Sequence, residues 1–221
     1  PEICNKDKNI AETLRIIDET GKKGVKLMVL PELSNTGYIY NSREEAYAMA
    51  EEVPDGPTTQ EWIKAAQKHN AYICAGITEK ERIGPHTYLY NSVAVVGPEG
   101  YIGTYRKTHL WNEEKLWFEP GNLGYPVFSL PFGKIGCRVC YDVWFPEVTR
   151  MQCRAIFEAA CQVQGERKKV ELEIMVPLVS VSEELRQQAE MIHEVARQVM
   201  GEHGMTIEYL VGTMIELPRA A

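Results

Sequence analysis

The sequence has no long hydrophobic run. Its longest apolar stretches, Leu27–Leu30 and Ile174–Val179, are far shorter than the roughly 18–20 residues a membrane helix needs. No membrane partner is expected. Basic clusters are also scarce: Arg167–Lys169 is the densest, and the net charge is -7 with a pI near 5.4. That balance argues against a nucleic-acid surface. The first ten residues are polar and carry no basic-then-apolar export pattern. They also lack an initiator Met, so the expectation is a chain that starts inside something longer. Six cysteines without an export signal point to reduced thiols and a cytoplasmic setting. No internal repeat and no low-complexity segment is found.

What is present is a globular pattern. The 221 residues are 44% apolar, enough for one large domain or two small ones with a real core. Residues 8–23 read as an amphipathic helix, with Ile10, Leu14 and Ile17 on one stripe. A short apolar strand, ending at Pro31 and Glu32, follows. Helices are expected over 42–51 and 58–69, the second opened by Thr58 or Thr59 as a cap. Strands are expected over 71–77, 91–97 and 101–107, the last two joined as a hairpin by Gly97–Gly100. A long loop with two Trp then leads to another strand-like run ending near Asp142. From Pro146 onward helix and strand alternate: 146–164, 170–179, 182–202 capped by Ser182, and 207–218. Such alternation is the pattern of parallel βα units.

The stretch GKIGCRVCYDVWFPE, Gly133–Glu147, carries the main chemical question. Cys137 and Cys140 form a C-x-x-C, which could be a metal clip, a redox pair, buried strand thiols or a nucleophile. Zinc needs a second ligand pair, and none is spaced for it. A redox pair opens a helix, whereas both thiols sit in a strand-like run. Burial in a strand core is the reading for Cys137, and equally for Cys4, Cys74, Cys153 and Cys161. Cys140 lies at the end of its apolar run, where α/β folds place their sites. Glu32 and Lys107 also end apolar strands. A thiol at such an end needs an activating base and an oxyanion stabiliser, and a carboxylate, an amine and a thiol at three strand ends could converge in one pocket, against the plainer reading of each as a surface or satisfied residue.

Residues from about 5 to 150 resemble the nitrilase, or carbon–nitrogen hydrolase, superfamily. The segments LMVLPELSNTGY, YRKTHL and CYDVWFPE carry the resemblance, with VPDGPTT, LYNSVAVVGPEGYIGTYRK and FEPGNLGYPVF between them. It implies Glu32 as general base, Lys107 as stabiliser of the tetrahedral intermediate and Cys140 as nucleophile. It implies Glu114 as a second glutamate and the Tyr141 backbone N–H as an oxyanion donor. Tyr38, Trp111, Trp117 and Trp144 become candidates for an acyl pocket, against plain core packing. The implied reaction is hydrolysis of an aliphatic amide or N-carbamoyl compound through a thioester, releasing ammonia, without a cofactor. Family members form oligomers, so a homo-oligomer is an expectation as well.

Beyond about Arg150 that pattern stops, about a hundred residues short of the family's full four-layer sandwich. Residues from about 146 to 221, with MQCRAIFEAA, EIMVPLVSVSEEL and IEYLVGTMIELPRAA, resemble the C-terminal barrel of pyruvate, phosphate dikinase, which handles phosphoenolpyruvate (PEP) and pyruvate. That resemblance implies Glu216 as a magnesium ligand, with its partner carboxylate and the rest of the dikinase missing. The fold expected is α/β: an incomplete nitrilase-type αββα sandwich over 1–149, followed by βα units of a partial (β/α)8 barrel over 150–221. Three functions follow: a thiol-dependent C–N hydrolase, an inactive PEP- or magnesium-binding remnant, and a non-catalytic chimeric chain.

Overall fold

The computed structural model describes all residues except Leu178, Glu216 and Ala221, and only the backbone of Pro146. The chain forms two compact units, Pro1–Asp142 and Val143–Ala221.

In the first unit, α1 (Lys6–Gly21) leads into β1 (Leu27–Val29), and α2 (Arg43–Met49) and α3 (Pro57–His69) precede β2 (Tyr72–Ile83), β3 (His86–Gly97) and β4 (Gly100–Arg106). These strands form one sheet in the order β1-β2-β3-β4, with β1 parallel to β2 and the other pairs antiparallel. Alternation along the strands sorts the side chains onto two faces. Ile73, Ala75 and Ile77 on β2, with Ala94 and Val96 on β3, pack against Ile17, Trp62 and Ala66 of the helices. The opposite face presents Cys74, Val93, Val95 and Tyr105 to Phe128, Cys137 and Val139. Phe128 comes from a second hairpin, β5 (Val127–Leu130) with β6 (Gly133–Gly136). The layering is therefore helices, sheet, and the start of a second sheet.

The structure extends or corrects several expectations. The hairpin at Gly97–Gly100 forms, and β2 and β3 form a second, longer hairpin that the sequence reading cut short at Ile77. Polar residues Thr78–Arg82 broke the apolar run, but cross-strand pairing carries the ladder through them. α3 is not capped by a threonine. Gly56 is the cap residue, and the buried Glu51 carboxylate accepts from the Thr58 N–H at 2.8 Å and from its hydroxyl at 2.6 Å. A carboxylate at a helix N-terminus also complements the helix dipole.

The second unit contains α5 (Pro146–Gly165), β7 (Leu172–Val176), α6 (Ser182–His203) and β8 (Tyr209–Thr213). β7 and β8 pair in parallel with α6 as the crossover, so the expected βα unit is present. Phe157, Cys161, Ile192, Val195, Ala196 and Val199 form its buried core. Ser182 is the first helical residue rather than the cap. Glu184 reaches back to the N–H groups of Ser180 at 2.7 Å and Val181 at 3.3 Å. Among the described residues no helix is long and apolar enough to cross a membrane.

Candidate active site

The three strand-end residues come from segments that approach from different parts of the sheet. After β1 the chain runs Pro31-Glu32-Leu33 across the face of β2, and Gly76 makes the crossing possible. A Cβ there would stand 2.4 Å from the Pro31 carbonyl, 2.5 Å from the Leu33 nitrogen and 2.7 Å from the Glu32 Cα. The Ser34 N–H then fastens to the Gly76 carbonyl at 2.9 Å. Leu33 takes a left-handed φ of 46°, a conformation a leucine adopts only when its surroundings enforce it. Here Leu33 is fully buried. Lys107 follows β4 directly, and its N–H bonds to the carbonyl of Asn91 on β3 at 2.8 Å. From the other side, the Gly121 N–H binds the Lys107 carbonyl at 2.9 Å.

These anchors bring one ammonium between two carboxylates. Lys107 Nζ lies 2.7 Å from Glu32 Oε1 and 2.7 Å from Glu114 Oε2. Glu114, at the start of α4 (Glu114–Trp117), is almost fully buried and also accepts the Trp111 N–H at 2.6 Å. Burial opposes the Lys107 charge, but Glu32 and Glu114 outweigh it and hold the ammonium above its ordinary pKa. Burial pushes the Glu32 carboxyl up, against the pull of Lys107 and with a further push from Glu114. A carboxylate so placed is a stronger proton acceptor than one in water.

Asn91 completes this group, and the sequence reading missed it. Its side-chain NH2 donates to Glu32 Oε1 at 2.7 Å and to Glu114 Oε1 at 2.7 Å. Two carboxylate oxygens on one side fix the amide orientation, since the reverse would set oxygen against oxygen. A polar residue on the buried stretch of β3, in the run Tyr90-Asn91-Ser92, was the available signal.

Cys140 departs from the expected strand. β6 ends at Gly136, and Cys140 instead opens a 3-10 helix, Cys140–Trp144, with a left-handed φ of 45°. Cys140 is an exposed residue. The protein packed around it, then the Glu32 charge, raise its pKa; Lys107 and the Tyr141 backbone N–H act in the opposite sense. The Cys140 thiol thus feels the charges of Glu32, Lys107 and Glu114. The Tyr38 phenol is pushed up by burial and by Glu114, Glu32 and Cys140, and its ring lies 6.0 Å from Lys107 Nζ. Trp111 is partly exposed and meets the Tyr141 ring edge-on at 4.8 Å.

The remaining candidates separate. Trp117 is a core residue, buried against Tyr40 and Phe118 rather than lining a cleft. Trp144 belongs to the second unit, where it lines a cavity of about 520 Å³ with Ile174, Val176, Gln188 and Ile192. Glu216 lies outside the described residues. Among the described residues no group of three His, Cys, Asp or Glu is arranged to hold a metal ion. Of the thiols read as strand-core residues, Cys74 alone is on a strand. Cys137 follows β6 and is buried in the same apolar cluster as Cys74; Cys153 and Cys161 are buried on α5, and Cys4 is half-buried ahead of α1.

Comparison with known proteins adds the following. A model of the carbon–nitrogen hydrolase family matches residues 1–199. A nitrilase of Pyrococcus abyssi is 46% identical over 150 residues, covering 68% of this chain and 56% of its own length. An N-carbamoylputrescine amidase of Arabidopsis thaliana is 32% identical over 148 residues, covering 64% and 48%. The chain thus spans about half the length of these curated relatives. A chloroplastic pyruvate, phosphate dikinase of Arabidopsis thaliana is 52% identical over 86 residues, 39% of this chain and 9% of that protein. The crystal structure of a carbon–nitrogen hydrolase from Helicobacter pylori aligns with a TM-score of 0.57 at 24% identity, covering 100% of this chain and 74% of its own, a likeness of fold. The hydrolase match runs past Arg150, where the sequence reading had ended it.

Proposed function

The chain belongs to the carbon–nitrogen hydrolase family, and on that premise we propose that it hydrolyses a non-peptide C–N bond by a thiol-dependent route. The substrate class is an aliphatic amide or an N-carbamoyl compound. The buried Lys107 held at 2.7 Å by both Glu32 and Glu114 is the observation that supports this most. An ammonium buried alone would cost several kcal/mol, and two carboxylates crowded together without it would repel. Buried, strongly perturbed charge groups of this kind cluster at functional sites.

In the proposed reaction Glu32 accepts the proton of the Cys140 thiol as sulfur attacks the carbonyl carbon. The oxyanion that forms is met by the Lys107 ammonium and the Tyr141 N–H. Collapse of the tetrahedral intermediate breaks the C–N bond, and Glu32 returns its proton to the leaving ammonia. Water then gives a proton to Glu32 and attacks the thioester carbon. The acid leaves, and the proton returns to sulfur. No cofactor enters this scheme. Relatives named as a nitrilase and an N-carbamoylputrescine amidase support the substrate class.

The test is ammonia release from simple amides and N-carbamoyl compounds, by the parent chain and by Cys140→Ser. Release by the parent that disappears in Cys140→Ser supports the reading. Release that survives in Cys140→Ser refutes it.

A second reading rests on the 52% identity with the dikinase. Under it the chain is a chimera whose C-terminal part is a dikinase barrel fragment, able at most to bind magnesium or PEP through Glu216. Magnesium-dependent quenching of tryptophan fluorescence, lost in Glu216→Ala, would support that reading; no quenching would remove it.

A further inference from the structure

Asp142, two residues after Cys140, has no exposed surface. A carboxylate is not buried without full compensation, and this one has four donors. Oδ1 accepts from the His109 N–H at 2.9 Å and from His109 Nδ1 at 3.0 Å. Oδ2 accepts from the Tyr105 hydroxyl at 2.5 Å and from the Val139 N–H at 3.1 Å. The donors belong to two segments. Tyr105 and His109 flank Lys107 at the end of β4. Val139 immediately precedes Cys140, and its carbonyl closes the turn by accepting the Asp142 N–H at 3.1 Å. One carboxylate therefore ties the segment carrying the ammonium to the turn carrying the thiol. That turn has the left-handed φ of 45° at Cys140, a conformation that needs outside support.

We propose that Asp142 is a positioning residue that sets the Cys140 thiol and the Tyr141 N–H against Lys107. The inference rests on the thiol-nucleophile reading above and adds to it the part that fixes the geometry. Charge is essential to the role. An asparagine of the same size offers one acceptor and one NH2. If its NH2 faces the Oδ2 side, the Val139 N–H meets a donor. If it faces the Oδ1 side, the His109 N–H does. The Tyr105 hydroxyl can rotate and the imidazole can change tautomer, but neither backbone N–H can turn away. Either orientation thus disturbs one of the two segments and leaves the other bonded.

The experiment compares the rate of Cys140 alkylation by iodoacetamide, followed site by site by mass spectrometry, in the parent and in Asp142→Asn. Melting temperature is recorded alongside, and kcat and KM where turnover is seen. The expected result is a folded variant whose Cys140 rate changes by about tenfold, as for the loss of a buried hydrogen bond to a charge, with kcat reduced and KM little changed. A folded Asp142→Asn whose Cys140 reacts at the parent rate overturns the proposal, because a purely structural aspartate alters the melting temperature alone. If Asp142→Asn does not fold, Tyr105→Phe decides. It removes one donor to Asp142, and with it the acceptor of the Thr108 N–H at 3.3 Å, but leaves both backbone donors to the carboxylate in place; an unchanged Cys140 rate in that variant overturns the proposal, whereas a shifted rate supports it. Alkylation does not require turnover. A chain with no hydrolase activity but an Asp142-dependent Cys140 rate refutes the proposed function and leaves the positioning role standing.

Discussion

Asn91 and Lys107 donate to the same oxygen of Glu32, each at 2.7 Å, and both also reach Oε1 of Glu114. The ammonium supplies charge, and the amide supplies a neutral donor that does not move with pH. Together they fix the lone pairs of the proposed base, so that one face of the carboxylate is left to work on the thiol. Hydrogen bonds to a charged group contribute about 1.5–3 kcal/mol each. Asn91→Asp removes both and adds a third carboxylate. It is expected to lower kcat/KM for ammonia release by at least about a hundredfold, with Asn91→Ala less severe. Steady-state kinetics check both; activity in Asn91→Asp near the parent level would remove Asn91 from the machinery.

Lys107 is expected to matter for stability as well as for rate. It has no exposed side-chain surface, and one of its partners, Glu114, is nearly as buried. Lys107→Met leaves two carboxylates facing each other without a counter-charge. Breaking a buried pair by removing one partner costs about 3–5 kcal/mol. Urea denaturation of parent and variant measures it. In the double variant Lys107→Met with Glu114→Leu, part of that loss is expected to return, since the stranded charge is gone. No return would mean that the loss was one of packing.

Much of this site could be read from the sequence, and what could not has a physical cause. Glu32, Lys107 and Cys140 each close an apolar run, and the strand-end argument needs nothing more than that. Asn91 lies inside a run, on β3, and its importance arises from residues 59 positions before it and 23 after it. Asp142 was hidden for a similar reason: its partners Tyr105 and His109 are 37 and 33 positions away. The apolar texture from Val127 to Cys140 suggested one strand, but the Pro131-Phe132 turn splits it into β5 and β6. The second strand stops at Gly136, and Cys140 opens a 3-10 helix instead. Trp117 was ambiguous because a large aromatic after a polar loop serves a pocket and a core equally well, and only its contact with Tyr40 at 5.4 Å decides.

The Cys140 thiol should titrate above the ordinary thiol range. Burial raises its pKa first and the Glu32 charge second, while Lys107 opposes them. At neutral pH the sulfur is then mostly protonated, so it depends on the base. Removing the negative charge in Glu32→Gln takes away one raising influence, and the thiol pKa must fall. Glu114→Gln should act in the same direction and more weakly. The alkylation rate of Cys140 against pH reports this directly. The expected pattern is a midpoint that moves down in Glu32→Gln while ammonia release is lost. A midpoint that stays or rises in that variant would separate Glu32 from the thiol.

Gly76, like Gly121 beside Arg106, should be hard to replace. A β-carbon there meets three backbone atoms within 2.7 Å, all on the segment that carries Glu32, and backbone cannot swing aside as a side chain can. Gly76→Ala must therefore push Pro31–Leu33 off β2. Overpacking of this kind costs about 1–3 kcal/mol, and the displaced residue is the proposed base, so kcat should fall far more than the melting temperature implies. Gly212 on β8 is the matched control: it is also a strand glycine, with nothing within 4 Å of its added β-carbon. Gly212→Ala is expected to leave melting temperature and kcat close to the parent. If the two substitutions prove equally mild, the crossing at Gly76 is looser than its geometry states, and Glu32 must be held by its hydrogen bonds to Lys107 and Asn91 alone.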